Sequence, residues 1–218
     1  MLELLAELGP MGTRDIAQAT RLSQTVVYRL LRTLAWHGFV DSRAGGSRYG
    51  IVGLKLPALS HNVYKDLRHA AWPILHDLAN QLGATAFLGV RHREEVVCMI
   101  SAESDLARVT VRYRPGLAQP LTVGASDLVL RSMDPPHKGE ESGVVLARKL
   151  GYAGSEHEVE SYTSAVSVPL NLGAEHSNSC ITVVFPKPDL EDAEATASLL
   201  RPAATEIAQM LVGTQMRF

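Results

Sequence analysis

The chain has 218 residues, of which 46% are apolar and 20% are charged, and its formal net charge is −2 at neutral pH. These values predict a globular protein of one or two domains, because a chain of this length can bury a substantial core. No run of about 18 apolar residues is present, which excludes a membrane-spanning helix, and the acidic N-terminal stretch MLELLAELG lacks the basic segment of a secretory signal.

The first 50 residues predict three short helices followed by a hairpin. A second helix follows Thr13 as its N-cap, and a third begins after the N-cap Ser23. Apolar residues recur at helical spacing along the third helix, at Val27, Leu30, Leu31 and Leu34. Short strands then flank a turn at Gly45-Gly46. This order is typical of a winged helix-turn-helix domain, which we assign to residues 1–53.

The charge of this first segment favours a polyanionic partner. Residues 1–50 contain six arginines and four acidic residues, whereas the rest of the chain contains 15 basic and 19 acidic residues. Every cation of the first segment is an arginine, the residue that forks onto phosphate and guanine. No acidic residue occurs from Ser23 to Val40. The asymmetry predicts two modules with different partners, the first of them binding nucleic acid.

The third helix is therefore predicted to read the major groove of double-stranded DNA. Gln24 can pair with adenine, Val26 can pack on a thymine methyl group, and Arg29 or Arg32 can reach guanine or phosphate. Hydroxyls at helix N-termini suit a phosphate oxygen, and hairpin arginines suit the DNA backbone or the minor groove. The predicted DNA-binding residues are Thr13, Arg14, Ser23, Gln24, Thr25, Val26, Tyr28, Arg29, Arg32, Arg43, Ser47 and Arg48.

The remaining residues predict a linker helix over 54–63 and a second domain over 64–218. This domain begins with a helix that ends near Gly83 and closes with a helix over about 191–212, which Pro202 interrupts without ending it. Between them lie five strand-like runs, TAFLGVR, EEVVCMI, ARVTVRY, SAVSVPL and SCITVVF. Strands between flanking helices predict a mainly antiparallel sheet covered on one side, so that the fold class is α+β.

The sequence contains no recognisable catalytic constellation. It lacks the GxSxG, GxGxxG and P-loop motifs, and we expect neither an enzyme nor a cofactor. His69 and His76 lie seven residues apart on one helix face and could ligate a metal with a third group, but such histidines are more often surface or partly packed residues, so no metal is expected. Cys98 and Cys180 have no metal-type spacing and predict two reduced, mostly buried thiols of a cytoplasmic protein.

The segment PLTVGASDLVL has two readings that its spacing leaves equal. In one, a helix begins beside the sheet, and its backbone N–H groups bind a carboxylate. In the other, Ser126 caps a helix of purely structural importance. Asp127 opposes an anion at this point.

Both halves together resemble the IclR family of bacterial transcriptional regulators. The resemblance rests on RLSQTVVYRLLRTLAWHGFVDS in the first domain and on GLAQPLTVGAS, RKLGYAGSEHEVES and SAVSVPL in the second. It implies an N-terminal winged helix and a C-terminal GAF-like effector domain. It also implies a homodimer or homotetramer that binds a double-stranded DNA operator and a small-molecule effector, with no contact to a membrane.

The resemblance places the effector between the sheet and the helix that follows the PL…GAS turn. Backbone groups at Ala125 and Ser126 then hold a carboxylate, and Ser155 adds a hydroxyl. Tyr162, where family members commonly have glycine, is expected to fill part of the cavity. The implied effector-binding residues are Ala125, Ser126, Ser155, Tyr162, Ala165, Thr182 and Val184.

We therefore expect a transcriptional regulator whose operator affinity is modulated by a small organic effector, either a carboxylate or an aromatic acid. The rival hypothesis is a ligand-sensing module that uses its winged helix for protein contacts. The basic face favours the first hypothesis, because a winged helix used for protein contacts would not need a basic face made only of arginine.

Overall fold

The computed structural model of the chain describes residues 1–43, 48–53, 55–122, 124–157, 162–171, 178–187, 190 and 192–213, with the backbone alone described at 43, 55–67 and 212–213. These residues divide into two compact units, Met1–Asn62 and Val63–Phe218. No helix within the described ranges combines the length and the apolar character needed to cross a membrane.

The first unit is a winged helix-turn-helix domain, as the sequence predicts. Its elements are α1 (Leu2–Leu8), β1 (Met11–Gly12), α2 (Thr13–Thr20), α3 (Gln24–Trp36), β2 (Val40–Arg43) and β3 (Arg48–Ile51). The three strands form an antiparallel sheet in the order β1-β3-β2. The strand β1 was not expected, because two residues are too short for alternation to be visible. The hydrophobic core of the first unit is formed by six buried residues, Leu5, Ile16, Ala17, Val27, Leu31 and Val40.

Two details of the predicted helices are wrong. Thr13 is the first residue of α2 and not its cap, because Gly12 pairs with Arg48 in the small sheet and its extended backbone takes the N-cap position. Leu30 is 44% exposed, although its spacing predicts burial. The inward face of α3 is narrow, since Val27 and Leu31 alone in this helix are fully buried.

A single long helix replaces the two helices predicted around the start of the second domain. This helix, α4, spans Lys55–Leu82 without interruption and contains the point at which the two units divide. Leu54 lies outside the described residues. Gly83 follows the helix with a φ of 61°, a conformation that glycine adopts without a steric penalty.

The second unit is an antiparallel sheet with helices, in agreement with the predicted α+β class. Its further elements are β4 (Thr85–His92), β5 (Glu95–Glu103), β6 (Ala118–Pro120), α5 (Ala125–Ser132), α6 (Ser142–Leu150), β7 (Ala153–Glu156), β8 (Ser164–Leu170), β9 (Ser179–Phe185) and α7 (Ala193–Gly213). The strand order is β6-β5-β4-β9-β8-β7. Pro202 lies inside α7 without ending it, as expected.

Four of the five predicted strand runs are strands, and the run ARVTVRY at 107–113 is not. Residues 104–117, which we call the strap, contain neither helix nor strand. The Glu103 carboxylate accepts hydrogen bonds from Thr110 (2.9 Å) and from Arg112 (3.3 Å), so the strap turns back toward β5 through side chains. The alternation of apolar residues at 107–113 therefore does not reflect a backbone ladder.

Helices cover both faces of the sheet, whereas the sequence predicts cover on one. Along β9, Ile181 and Val183 join the apolar cluster that contains α4 and α7 residues. The alternating residues of the same strand point to the other face, where Cys180 packs with apolar residues of α5 and α6. Strand alternation thus assigns Cys180, Thr182 and Val184 to the face that α5 covers.

Candidate functional sites

The first turn of α3 is organised by Ser23. The Ser23 hydroxyl accepts a hydrogen bond from the backbone N–H of Val26 at 3.4 Å, so Ser23 is the N-cap that the sequence predicts. The side chains that follow lie in solvent: Val26 is 41% exposed and Tyr28 is 53% exposed. The remaining predicted α3 residues are also exposed, namely Gln24, Thr25, Arg29 and Arg32.

The exposed face of α3 carries positive charge without local neutralisation. The helix contains no acidic residue, and within the described part of the chain neither Arg29 nor Arg32 forms an ion pair. Arg14, on α2, is exposed as well. Such a surface is suited to bind a phosphate backbone, since its guanidinium groups have no competing carboxylate.

The hairpin has a more structural character than its sequence indicates. The Arg48 guanidinium donates to the carbonyl oxygen of Pro10 through Nε, at 3.0 Å, and through Nη2. Arg48 therefore ties the hairpin to the segment that precedes α2. The Arg43 backbone pairs with Arg48, whereas the Arg43 side chain and Ser47 lie outside the described residues.

A cluster of hydroxyls lies between α5 and the sheet in the second unit. Thr182 Oγ1 is 2.8 Å from Ser126 Oγ and 2.9 Å from Ser167 Oγ. Ser167 Oγ also donates to the Ile181 carbonyl at 3.3 Å. Because each hydroxyl has one proton, Ser167 accepts from Thr182, and Thr182 accepts from Ser126. All three hydroxyl-bearing residues are buried, and we call them the hydroxyl cluster.

The start of α5 is held against β7. Gly124, with a φ of 91°, is the N-cap, and the backbone N–H of Ala125 donates to Ser155 Oγ at 3.1 Å. Ser126 therefore does not cap the helix; its hydroxyl belongs to the hydroxyl cluster. The amide of Ala125, expected to hold a carboxylate, already has a partner.

The predicted effector residues are brought together with one exception. Ala165 and Val184 pack on the same face of the sheet as Thr182. Tyr162, by contrast, is 80% exposed, so the expectation that it fills the cavity is wrong. Tyr162 lies in a turn before β8, and a turn at the end of a sheet directs a large side chain into solvent more readily than between packed layers.

Asp127, the residue after Ser126, adds a buried carboxyl group to the first turn of α5. It is only 2% exposed; its Oδ2 accepts from Arg131 at 3.1 Å, and its Oδ1 has no hydrogen-bond partner among the described residues. Burial raises the pKa of this carboxyl group, and the adjacent Arg131 opposes that rise. A ligand anion placed at Asp127 would meet a group of the same sign whenever Asp127 is ionised.

Sequence reasoning missed four residues at this site. Ser167 and Cys180 both contact Thr182, with Cys180 Sγ at 3.7 Å from Thr182 Oγ1. The rings of Phe87 and Tyr113 stack on the same face of the sheet. These residues meet because β9 pairs with both β4 and β8, and a single strand pattern does not show which other strand it will pair with.

Two further features of the second unit lie outside the hydroxyl cluster. A cavity of about 780 Å³ lies on the opposite face of the sheet, lined by residues of β8 and α7. His76 is 2.8 Å from Asp105 and stacks on Trp72, which accounts for this histidine without a metal. In the described ranges, no group of three or more His, Cys, Asp or Glu residues is arranged to hold a metal ion.

Comparison with known proteins identifies the first domain. Residues 1–44 match the family model of the IclR helix-turn-helix domain. The chain is 30% identical over 171 residues to the glycerol operon regulatory protein of Streptomyces griseus, which covers 74% of this chain and 65% of that protein. The chain therefore spans slightly less than two thirds of that relative.

Solved structures show the same fold over nearly the whole chain. An IclR transcriptional regulator from Alicyclobacillus acidocaldarius superposes with a TM-score of 0.76 at 23% identity, covering 96% of this chain and 94% of the other. An IclR homolog from Microbacterium hydrocarbonoxydans, complexed with 4-hydroxybenzoate, superposes with a TM-score of 0.69 at 19% identity. That alignment covers 94% of this chain and 92% of the homolog.

Proposed function

We propose that this chain, whose residues 1–44 match the IclR helix-turn-helix family model, is a transcriptional regulator of the IclR family that binds operator DNA through α3 and whose operator affinity is changed by a small organic effector. The observation that carries this proposal is the exposed face of α3. Arginine, amide and hydroxyl side chains lie together there, behind a Ser23 cap and without an acidic residue in the helix.

The DNA contacts follow from the order of residues along α3. Gln24 and Val26 lie in the first turn, which enters the major groove first in domains of this kind. Gln24 pairs with adenine and Val26 packs on a thymine methyl group. Arg29 and Arg32 lie further along the helix, where they contact guanine or phosphate. The Ser23 hydroxyl retains its own proton for a phosphate oxygen while it caps the helix.

The effector site is proposed at the hydroxyl cluster. Its hydroxyls and the first N–H groups of α5 offer hydrogen bonds, and its apolar walls at Ala165 and Val184 suit a ligand with a hydrocarbon portion. A carboxylate or an aromatic acid fits this combination, and the M. hydrocarbonoxydans homolog in complex with 4-hydroxybenzoate, an aromatic acid, supports this part of the proposal. With Asp127 nearby, a carboxylate gains only about 0.3–1 kcal/mol from the helix dipole, so we expect micromolar or weaker affinity.

We further propose that the chain acts as a homodimer or homotetramer. One α3 helix reading one half-site provides too little affinity for specific regulation at cellular salt concentrations. The candidate dimer surfaces are α1 and the predicted connecting helix over 54–62, of which residues 55–62 belong to α4. Sedimentation is expected to show at least a dimer at micromolar concentration, and a monomer both with and without DNA would contradict this part of the proposal.

A cytoplasmic location and the absence of catalysis complete the proposal. Both rest on the same grounds: the regulator character of the relatives and the lack of a catalytic motif in the sequence.

The direct test is selection of bound fragments from genomic DNA by the purified protein. We expect a short, two-fold symmetric site, and an affinity that falls steeply with salt because binding releases counterions from phosphate. Binding that is insensitive to salt, or no enrichment of any fragment, would favour a winged helix used for protein contacts.

The effector part of the proposal is tested by calorimetry with a panel of aromatic and short-chain acids. Ser126→Leu places a branched side chain among the buried hydroxyls and is expected to abolish binding. Ser142→Leu is the matched control, because Ser142 is exposed at the start of α6. Unchanged binding to the Ser126→Leu variant would place the effector elsewhere.

A further inference from the structure

The middle of the strap packs on the face of the sheet that carries Val184, and the strap is fastened at both ends. At its start, Asn80 Oδ1 accepts hydrogen bonds from Ser104 Oγ (3.2 Å) and from the Asp105 backbone N–H (2.8 Å). At its end, the Cys98 backbone N–H donates to the Leu117 carbonyl at 2.9 Å. The ends are therefore anchored by α4 and β5, independently of what the middle of the strap contacts.

The middle of the strap inserts an aromatic ring. Tyr113 is only 6% exposed, and its ring stacks on Phe87 with a centroid separation of 4.7 Å and an interplanar angle of 8°. Gln119 Nε2 donates to the Tyr113 hydroxyl at 3.0 Å, and Ser101 Oγ donates to the Tyr113 carbonyl. The Tyr113 side chain is thus held by stacking on Phe87 and by a hydrogen bond at its hydroxyl, and its backbone is held by a hydrogen bond at its carbonyl.

This ring lies beside the hydroxyl cluster. Phe87 on β4 is directly opposite Thr182 on β9, so that their Cβ atoms are neighbours on one face of the sheet. Val184, the next inward-facing residue of β9, contacts the same cluster of side chains as Tyr113. A ligand held by the hydroxyl cluster would extend its hydrocarbon portion toward the position of the Tyr113 ring.

A second observation indicates an unmet hydrogen-bonding group here. Thr85 lies two residues before Phe87 and shares its face of β4. It is fully buried, yet its hydroxyl oxygen has no hydrogen-bond partner among the described residues. A buried hydroxyl in this state is unfavourable, and a ligand group that satisfied it would gain affinity.

We infer that Tyr113 is an internal occupant of the effector site, and that the effector carries one phenol-sized aromatic ring that takes the place of the Tyr113 ring on Phe87. The inference rests on the proposed effector function. It adds the size of the effector's aromatic ring and identifies Tyr113 as the side chain that the effector displaces. The exchange conserves the aromatic stack, because one ring replaces another. Only the middle of the strap has to move, since both ends retain their hydrogen bonds.

The inference has a measurable consequence for affinity. If Tyr113 fills the site in most molecules, only the small fraction with an open site can bind the ligand. The apparent affinity is then lower than the intrinsic affinity in proportion to that fraction. Removing the ring leaves an apolar cavity on Phe87, and cavities of this kind bind aromatic compounds. Tyr113→Ala should therefore bind an aromatic ligand more tightly than the wild type does.

The test compares full-length wild type, Tyr113→Ala, Tyr113→Phe and Val109→Ala. The probes are 4-methylphenol, which has the atoms of the missing side chain, and 4-hydroxybenzoate. Dissociation constants come from calorimetry, and thermal midpoints are measured with and without each probe. Val109→Ala is the matched control, because Val109 lies on the strap but is exposed.

We expect Tyr113→Ala to bind 4-methylphenol at least tenfold more tightly than the wild type, and the probe to raise its thermal midpoint. Tyr113→Phe retains the ring, so it should bind as weakly as the wild type, as should Val109→Ala. If Tyr113→Ala does not fold, Tyr113→Leu takes its place, because leucine retains part of the apolar volume but has no ring to stack on Phe87, and a smaller gain in affinity over the wild type is expected. Equal affinity in wild type and variant, or no binding to the variant, would overturn the inference.

Amide exchange in the wild type gives a second, independent readout. Saturating 4-hydroxybenzoate should accelerate exchange within residues 106–113, because the ligand displaces that part of the strap. Binding without any change in this exchange would overturn the inference and leave an effector site elsewhere. Conversely, binding of 4-methylphenol to Tyr113→Ala, with no acid changing operator affinity, would support the internal occupant and contradict the proposed effector function.

Discussion

The exposed face of α3 and the hydroxyl cluster are built in opposite ways. On α3, the proposed DNA contacts extend into solvent, and Arg29 and Arg32 form no ion pair with any described residue. In the second unit, Ser126, Ser167 and Thr182 are buried and bond to one another. The exposed face of α3 is positioned by other residues of the helix, such as Val27 and Leu31, which are buried. The residues of the hydroxyl cluster are themselves buried in the core.

This difference teaches that function and stability are separable in one region and joined in the other. A side chain that points into solvent contributes little to folding, so its removal should affect binding alone. A buried hydroxyl that bonds to two others contributes to both, because its removal leaves a partner unsatisfied. The following predictions test this contrast, beginning with the largest expected effect.

Arg29→Ala and Arg32→Ala should each weaken operator binding by about 1–3 kcal/mol. The physical reason is the loss of a guanidinium that contacts guanine or phosphate. Thermal stability should stay unchanged, because neither side chain has a described partner within the protein. Binding is measured by titration of labelled operator at fixed salt, alongside thermal unfolding.

Arg108→Ala is the charge-matched control for these two variants, since Arg108 is exposed in the second unit. It should leave operator affinity unchanged. A parallel loss of stability and affinity in Arg29→Ala would show that this arginine supports the fold, and would remove the contrast between the two regions.

The same substitution made in both regions sharpens the contrast. Thr182→Val deletes the hydroxyl that links Ser126 and Ser167 and should reduce the free energy of unfolding by about 1–3 kcal/mol. Thr25→Val, on the exposed first turn of α3, should leave that free energy within about 0.5 kcal/mol of the wild type. Urea denaturation measures both. Equal effects of the two variants would contradict the separation of function from stability.

The pH dependence of stability should reveal Asp127. Burial raises the pKa of its carboxyl group above the usual value of 3.8, so the folded state binds this proton more readily than the unfolded state. The associated stability is therefore fully present below the usual pKa and is lost as the pH rises through the raised one. Asp127→Asn cannot ionise, and its thermal midpoint should fall less than that of the wild type from about pH 4 to pH 7.

The difference in thermal midpoint between the wild type and Asp127→Asn, followed with pH, isolates the titration of Asp127. All other titrating groups are common to both proteins. A difference that stays constant with pH would mean that Asp127 titrates as it does in an unfolded chain.

The smallest expected effect concerns the thiols beside the hydroxyl cluster. Burial raises the pKa of Cys98 to about 12 and also raises the pKa of Cys180. Both cysteines are free and buried, as the sequence predicts, so a thiol reagent at neutral pH should label the native protein only as fast as it opens. Rapid labelling of either thiol without denaturant would show that this part of the core is accessible.

The winged helix and the exposed side chains of α3 were predictable because their signals are local. An N-cap at Ser23, helical spacing of apolar residues and the absence of acids are readable over a dozen positions. The two errors in this unit have identifiable causes. The strand β1 is two residues long, and Leu30 lies at the edge of a face whose width depends on what packs against it.

The grouping of residues at the proposed effector site was predictable in part. Resemblance brought Ser126, Ser155 and Thr182 to one place, and the structure brings them together. It misassigned Tyr162, which is exposed, and the spacing of PLTVGASDLVL left open whether Ser126 caps a helix. The structure resolves that question, because the Ser126 hydroxyl bonds to Thr182 and Gly124 is the N-cap.

The sequence by itself determined the three helices and the hairpin of the first unit, four of the five expected strands of the second unit and the exposed basic face of α3, since periodicity and charge act over neighbouring residues. Only the tertiary structure decided that residues 107–113 form no strand and that Tyr113 stacks on Phe87. An alternating pattern shows which side chains share a face, but a strand needs a partner for its backbone. That partner is chosen by packing among segments far apart in the chain.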